Sequence, residues 1–241
     1  MLYTIISIVP REKEQESLKS LHLFGLRVDL FSFKDLDFIP KNAHIITLNF
    51  EMLVEAQYDP RFKEIINKAD LVIADGSFIC FLILVLKGRV VEKIPGIELA
   101  ERLIENHQKV ALLGGKSKVI EVLKKKFQEK IVFSHHGYFE ENSSAEEKII
   151  REIKKSSPEI FLVALGSPKQ EIFISQTRKS IDNSIEIGVG GAFDIWSGNL
   201  KRAPKWMQNF HLEWLFRIIQ EPYRLKRLLY NVCRFFYLLL Q

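Results

Sequence analysis

The stretch Ile160-Phe161-Leu162-Val163-Ala164-Leu165-Gly166-Ser167-Pro168-Lys169-Gln170-Glu171 carries the pattern on which the fold turns. Six apolar residues run without alternation, as in a strand buried on both faces. A glycine ends the run. Ser167-x-x-Gln170 then reads as a capping box, with Pro168 at the first helical position. The unit is strand, glycine turn, helix, and it recurs along the chain. Strands are expected at residues 4–9, 26–31, 44–48, 71–74, 110–113, 131–134, 160–165 and 185–189. Helices are expected at 51–57, 77–86, 96–106, 117–128, 145–155 and 168–178. Such alternation predicts an α/β fold: a Rossmann-like, mostly parallel sheet with helices on both faces. After residue 200 the strand signal stops. Residues 203–240 read as helices broken near Pro222. The expected organisation is an α/β domain over residues 1–200 and a helical appendage over 201–241.

Composition excludes several classes. A chain of 241 residues that is 47% hydrophobic can bury a sizeable core and is too apolar for disorder. Cys80 and Cys233 lie far apart in apolar stretches, so neither a disulfide framework nor a cysteine-rich zinc site is expected, and a reducing cytosol is the natural compartment. The longest apolar run, residues 78–86, is too short to cross a bilayer, which takes roughly 20 helical residues. Residues 1–10 lack a basic leader and a small-residue cleavage site, so no signal peptide is expected.

Charge is unevenly placed. Net charge is +5, but residues 201–241 alone carry eight basic and two acidic side chains, with nine of the 27 aromatics. A near-neutral body thus ends in a basic, aromatic segment. It suits an anionic surface, or a helical extension that shows its charges to water.

In a doubly wound sheet, ligands bind beyond the carboxyl ends of the strands. Five strand ends carry glycines or polar groups: Thr47-Leu48-Asn49, Ala74-Asp75-Gly76, Leu113-Gly114-Gly115-Lys116, the Gly166–Glu171 turn quoted above, and the turn from Gly188 to Asp194. Glycine admits close backbone approach, and helix N-termini favour phosphate, so a nucleotide or diphosphate ligand is expected. The P-loop and dinucleotide fingerprints fail, because their remaining glycines would fall at Val110 and Phe193. Asp35-Leu36-Asp37 has the form of a metal-binding acidic pair, but it lies in a polar connection. The six histidines show no metal spacing, and no metal is expected. Each feature also has a plainer reading: a simple turn at Asp75-Gly76, close strand–helix packing at 188–191, core contacts for Trp206, Trp214 and Phe216. Arg217, Arg224 and Arg227 recur at helical spacing and can share one face.

Jointly, the motifs are specific. They are Thr47-x-Asn49, Asp75-Gly76, Gly114-Gly115-Lys116, Gly137-Tyr138-Phe139, Gly166-x-Pro168-Lys169-Gln170-Glu171 and Gly188-Val189-Gly190-Gly191-x-Phe193-Asp194-x-x-x-Gly198. Arg202-Ala203-Pro204-x-Trp206 follows, then Glu213-Trp214-x-x-Arg217-x-x-x-Glu221-Pro222-x-Arg224-x-x-Arg227. By these the chain resembles the WecG/TagA/CpsF family of bacterial glycosyltransferases (glycosyltransferase family 26), from about residue 25 to 227. Lys93 and Glu98 stand where the family often has arginine and aspartate.

The resemblance implies inverting, metal-independent transfer of a sugar from a UDP-sugar to undecaprenyl-diphosphate-linked N-acetylglucosamine. The sugar would be N-acetylmannosamine or a relative such as its uronic acid, and the setting teichoic acid or surface polysaccharide synthesis. No cofactor is implied. Asp75 matches the family's proposed base. Thr47, Asn49 and Gln170 would hold sugar hydroxyls. Lys93, Arg217, Arg224 and Arg227, with the Gly114, Gly115 and Gly166 turns, would meet the leaving diphosphate. Gly190, Gly191 and Asp194 would lie near uridine and ribose. The appendage would fold over the active site and dock on the anionic inner face of the cell membrane, making the protein cytoplasmic and peripheral. A homo-oligomer is left open. Two other readings are a catalytically silent nucleotide-sugar binding protein and a nucleic-acid module. The second lacks any recognised RNA or DNA motif.

Overall fold

Along each central strand, side chains alternate between two apolar layers, and this builds the molecule. Ile45, Leu71, Ile73, Leu112, Leu162 and Ile187 face one layer. Ile46, Leu48, Val72 and Ala74 face a second, and Ala111, Leu113, Phe161 and Val163 a third on that same side. A computed structural model describes residues 19–141 and 143–240. The strand expected at residues 4–9 lies outside the described residues.

The chain begins with β1 (Ser20–Leu23), β2 (Leu26–Asp29), a 3₁₀ turn (Phe33–Phe38), β3 (Ala43–Leu48), α1 (Phe50–Tyr58) and α2 (Pro60–Lys68). It continues with β4 (Leu71–Ala74), α3 (Ser77–Lys87), α4 (Gly96–Asn106), β5 (Val110–Gly114), α5 (Ser117–Phe127) and β6 (Ile131–His135). Then come α6 (Ser144–Ser156), β7 (Ile160–Ala164), α7 (Lys169–Thr177), β8 (Ile185–Gly188) and α8 (Ala192–Trp196). It ends with α9 (Lys205–Asn209), α10 (Glu213–Gln220) and α11 (Tyr223–Leu239). Six strands form one parallel sheet in the order β4-β3-β8-β7-β5-β6. Residues of α4, α5 and α8 pack on one face, and residues of α1, α2, α3, α6 and α7 on the other.

Three sequence expectations change. The strand expected at 26–31 pairs antiparallel with β1 in a separate ribbon, outside the main sheet. That ribbon covers the β4 edge, where Val72 N–H donates to the Asp29 carboxylate at 2.7 Å. Helix α2 was not foreseen, although Asp59 caps it and Pro60 opens it. The third is the capping box at Ser167. The helix starts one residue later, with Pro168 as its N-cap and no side-chain cap.

The appendage is built onto the body. Phe235 of α11 is buried, with ring centroids 5.6, 5.5 and 5.9 Å from Phe24, Phe50 and Phe78. Arg234 pairs with Glu55 at 2.6 Å and lies over the Tyr58 ring. Trp206 and Trp214 are more than half exposed, so the reading of them as core contacts does not hold.

At the N-terminal ends of β3 and β8, His44 and Glu186 face each other in register, both buried. Burial pushes Glu186 up to about 8, opposed by Arg178, and lowers His44 to about 4. Arg178 is held by Asp70 at 2.7 Å, and neither Glu186 oxygen has a hydrogen-bond partner. A carboxyl with a raised folded pKa costs stability as pH climbs from its unfolded value to its folded one. His44, neutral when folded, adds stability over about pH 4 to 6.5, so the two oppose each other there. Above pH 6.5 only the Glu186 effect remains. We expect the unfolding free energy to fall by roughly 2 kcal/mol from pH 6.5 to 8, at about 1.4 kcal/mol per unit. Glu186→Gln should flatten that slope in urea titrations; an unchanged slope would refute the assignment.

Candidate active site

Asp75 follows the edge strand β4, and its backbone N–H donates to Leu48 O of β3 at 2.9 Å. Thr47 is the next-to-last residue of β3 and packs against Gly96, the first residue of α4. Only a glycine leaves this room, since a Cβ at 96 would stand 3.1 Å from Thr47 Oγ1. The Asp75 carboxyl thus sits at a helix N-terminus, where partial positive charge favours an anion. Burial nevertheless dominates and pushes it up to about 6, against the Gly96 N–H, Arg217 and Lys93. The residue as a whole is only partly buried, so Asp75 is enclosed without being sealed in the core. Asn49 caps α1, accepting from Met52 N–H at 3.1 Å. That leaves its amide nitrogen for a ligand.

The appendage forms the opposite wall. Arg202 pairs with Glu98 of α4. His211 Nδ1 meets Ser77 Oγ at 2.7 Å, two residues beyond Asp75. Glu213 of α10 holds Lys93 at 2.9 Å. Arg217, one turn further along α10, lies over Gly191, and a Cβ there would come within 3.4 Å of Nη1. Burial lowers Arg217, with Arg224 adding to this, while Asp75, Glu221 and Glu213 hold its charge in place. It makes no hydrogen bond or ion pair among the described residues. A partly buried guanidinium above a glycine turn is a ready seat for an anion.

Gln170 corrects the sequence reading. It is buried, and its Oε1 accepts from Gly166 N–H at 3.2 Å and Gly190 N–H at 3.1 Å. Its amide donates to Glu171 at 2.7 Å. Its oxygen and one amide hydrogen are spent inside the protein, so the buried Gln170 ties the turns after β7 and β8 together rather than standing open to a sugar hydroxyl. A Cβ at Gly188 would stand 2.4 Å from its Nε2, which is why that position lacks a side chain. Glu171 beside it is raised by burial, and its Oε2 has no partner.

The structure brings together Asp75, Thr47, Asn49, Lys93, Gly190, Gly191 and Arg217. Asp194 lies in the first turn of α8 and accepts from Asn199 at 3.3 Å. Gly114 and Gly115 end β5, four strand spacings from β4, which is about 19 Å. Gly166, after β7, lies between. Arg217 is on α10 while Arg224 and Arg227 are on α11, so the three do not share one helix face as the spacing predicted. Arg224 is held by Glu221 at 2.6 Å, and Arg227 is turned away to Glu51 of α1. Asp35 accepts from the Ser32 N–H and hydroxyl, a cap and not a metal ligand. Glu213 stands in the sequence motif without a role, and His211 with Ser77 was given none; the contacts Lys93–Glu213 and Ser77–His211 span more than 100 residues and leave no local signal. Among the described residues no group of three His, Cys, Asp or Glu side chains could hold a metal ion, and no helix is long and apolar enough to cross a membrane.

A parallel sheet with glycine-built strand ends, beside which a perturbed carboxylate and a guanidinium without partners among the described residues stand, defines a Rossmann-like α/β protein. The profile of the glycosyl transferase WecG/TagA/CpsF family matches residues 21–241, and the chain belongs to that family. An N-acetylglucosaminyldiphosphoundecaprenol N-acetyl-beta-D-mannosaminyltransferase of Staphylococcus aureus (strain MW2) is 33% identical over 195 residues, covering 78% of this chain and 76% of the relative. The enzyme of the same name from Bacillus spizizenii is 31% identical over 194 residues, with the same coverage.

Proposed function

We propose that this chain is an inverting glycosyltransferase that moves N-acetylmannosamine, or a related sugar such as its uronic acid, from a UDP-sugar to undecaprenyl-diphosphate-linked N-acetylglucosamine. The product would serve teichoic acid or surface polysaccharide synthesis. The names of the two relatives support the acceptor and the sugar. One observation carries the chemistry: Asp75, raised to about 6, lies within electrostatic reach of Arg217, which has no hydrogen bond or ion pair among the described residues and stands over Gly191. A base with a pKa near the working pH suits proton transfer. The acceptor hydroxyl attacks the anomeric carbon as its proton passes to Asp75, and the bond to the diphosphate breaks on the opposite face. UDP leaves with the electron pair. Arg217, Lys93 and the N–H groups of the glycine turns would stabilise the charge that develops, without a metal.

The cytoplasmic face of the membrane, where such an acceptor would be presented, is the proposed site of action. Four of the appendage's eight basic side chains are already paired with carboxylates: Arg202, Arg224, Arg227 and Arg234. Its capacity for anionic lipid is therefore below its formal charge. The test is a panel of UDP-sugars against a soluble lipid-diphosphate-N-acetylglucosamine analogue, with and without EDTA. UDP release with UDP-N-acetylmannosamine, undiminished by EDTA, is the expected result. No turnover with any donor, or turnover abolished by the chelator, would refute the reading.

A further inference from the structure

Helix α3 is apolar around its whole circumference: Ser77-Phe78-Ile79-Cys80-Phe81-Leu82-Ile83-Leu84-Val85-Leu86-Lys87. A helix of that kind is normally covered on all sides, by core or by lipid. Here Ile79, Leu82 and Ile83 are buried against the sheet, while the other side is left open by the described residues. Phe81, Leu84, Val85 and Leu86 are about half exposed or more, and Val90 beyond them is 88% exposed. At its edge Phe78, itself partly exposed, packs on the buried Phe235 of α11. At eleven residues α3 is about 16 Å long, half of a hydrocarbon core, so it suits lying on a bilayer and not crossing it.

The charge next to the patch names the occupant. A cavity of about 430 Å³ at the C-terminal end of α3 is lined by Lys19, Lys87 and Arg89 with Ser20, Leu21 and Leu30. None of the three cations has an ion pair among the described residues, unlike Arg202, Arg224, Arg227 and Arg234 of the appendage. Exposed apolar side chains beside unpaired cations match the two layers of an anionic membrane surface, acyl boundary and phosphate. A second copy of the chain would bring the same cations against one another.

We propose that α3 and the segment to Val90 form a membrane-docking face separate from the basic appendage. Phe81, Leu84 and Val85 enter the headgroup boundary, and Lys19, Lys87 and Arg89 hold lipid phosphates. Since α3 starts two residues after Asp75, docking brings the cleft to the bilayer. This purpose rests on the glycosyltransferase reading, but the docking itself does not.

The test uses the full chain with vesicles of phosphatidylcholine, with and without phosphatidylglycerol. Phe81→Glu with Val85→Glu should lower partitioning at least about tenfold on both vesicles. Lys87→Ala with Arg89→Ala should lower it at least about tenfold on the anionic vesicles alone. Lys205→Ala with Lys226→Ala, in the appendage, should have a smaller effect. Thermal melts and turnover of a soluble acceptor analogue should stay at the wild-type level for the α3 variants, while turnover of vesicle-embedded acceptor falls. Wild-type partitioning in both α3 variants would overturn the proposal. So would a wild-type dimer that Phe81→Glu with Val85→Glu turns into a monomer still binding vesicles. If vesicle binding falls as stated but the wild type turns over no acceptor, the docking face stands and the transferase reading fails.

Discussion

Asp75→Asn is expected to reduce turnover at least about 100-fold, the lower range for removal of a general base, with the Michaelis constant nearly unchanged. The substitution keeps shape and can still accept from Gly96. It removes only the lone pair that takes the proton. Wild-type kcat/KM should fall as pH drops through about 6, where Asp75 becomes protonated, and the residual rate of the variant should lack that limb. Stability should move the other way. Above both its unfolded and folded pKa, a carboxylate with a raised folded pKa burdens the native state, so the neutral amide should melt at the same temperature or higher at pH 7. Lower activity with a lower melting temperature would point to a structural role. Undiminished turnover would remove Asp75 from the mechanism.

Arg217→Ala should lower kcat/KM by about 100-fold or more, the scale for loss of one donor to a developing anion. Among the described residues its guanidinium has no ion pair or hydrogen bond, so deleting it opens no bridge there. UDP affinity should weaken as well. Because Arg217 holds Asp75 down, its loss should also shift the acid limb of the pH profile upward. That shift separates a charge effect from mere loosening of α10. Arg217→Lys should restore part of the rate, since it keeps the charge but not the two-pronged geometry. In contrast, Arg227→Ala should cost far less, because Arg227 is occupied by Glu51. A profile that loses rate without moving its limb would contradict the electrostatic influence of Arg217 on Asp75.

The strand ends show how much of this was legible. Asp75-Gly76, Gly114-Gly115 and the Gly188–Asp194 turn all fall where the alternation of strand and helix placed them. Continuous apolar runs and glycine stops are local signals, encoded within a dozen residues. Helix α4 matches its expected limits for the same reason. The ribbon of β1 and β2 shows the limit. Residues 26–31 have strand composition, but nothing in them says which neighbour they pair with. The basic appendage shows another limit. Its charge was plain from composition, yet its arginines answer carboxylates on α1 and α4 more than 100 residues away, which no periodicity records.

Family, order of elements and the identity of the strand-end residues were therefore written in the chain itself, because period, caps and glycine placement act between near neighbours. Which of those residues remain available for chemistry was decided only by tertiary structure. Gln170 is consumed by two turns that meet in space, Arg224 and Arg227 are satisfied by partners, and Arg217 is left bare. The tuning of Asp75 belongs to the same level, since burial and distant charges set a proton's affinity and neither exists until the chain has folded.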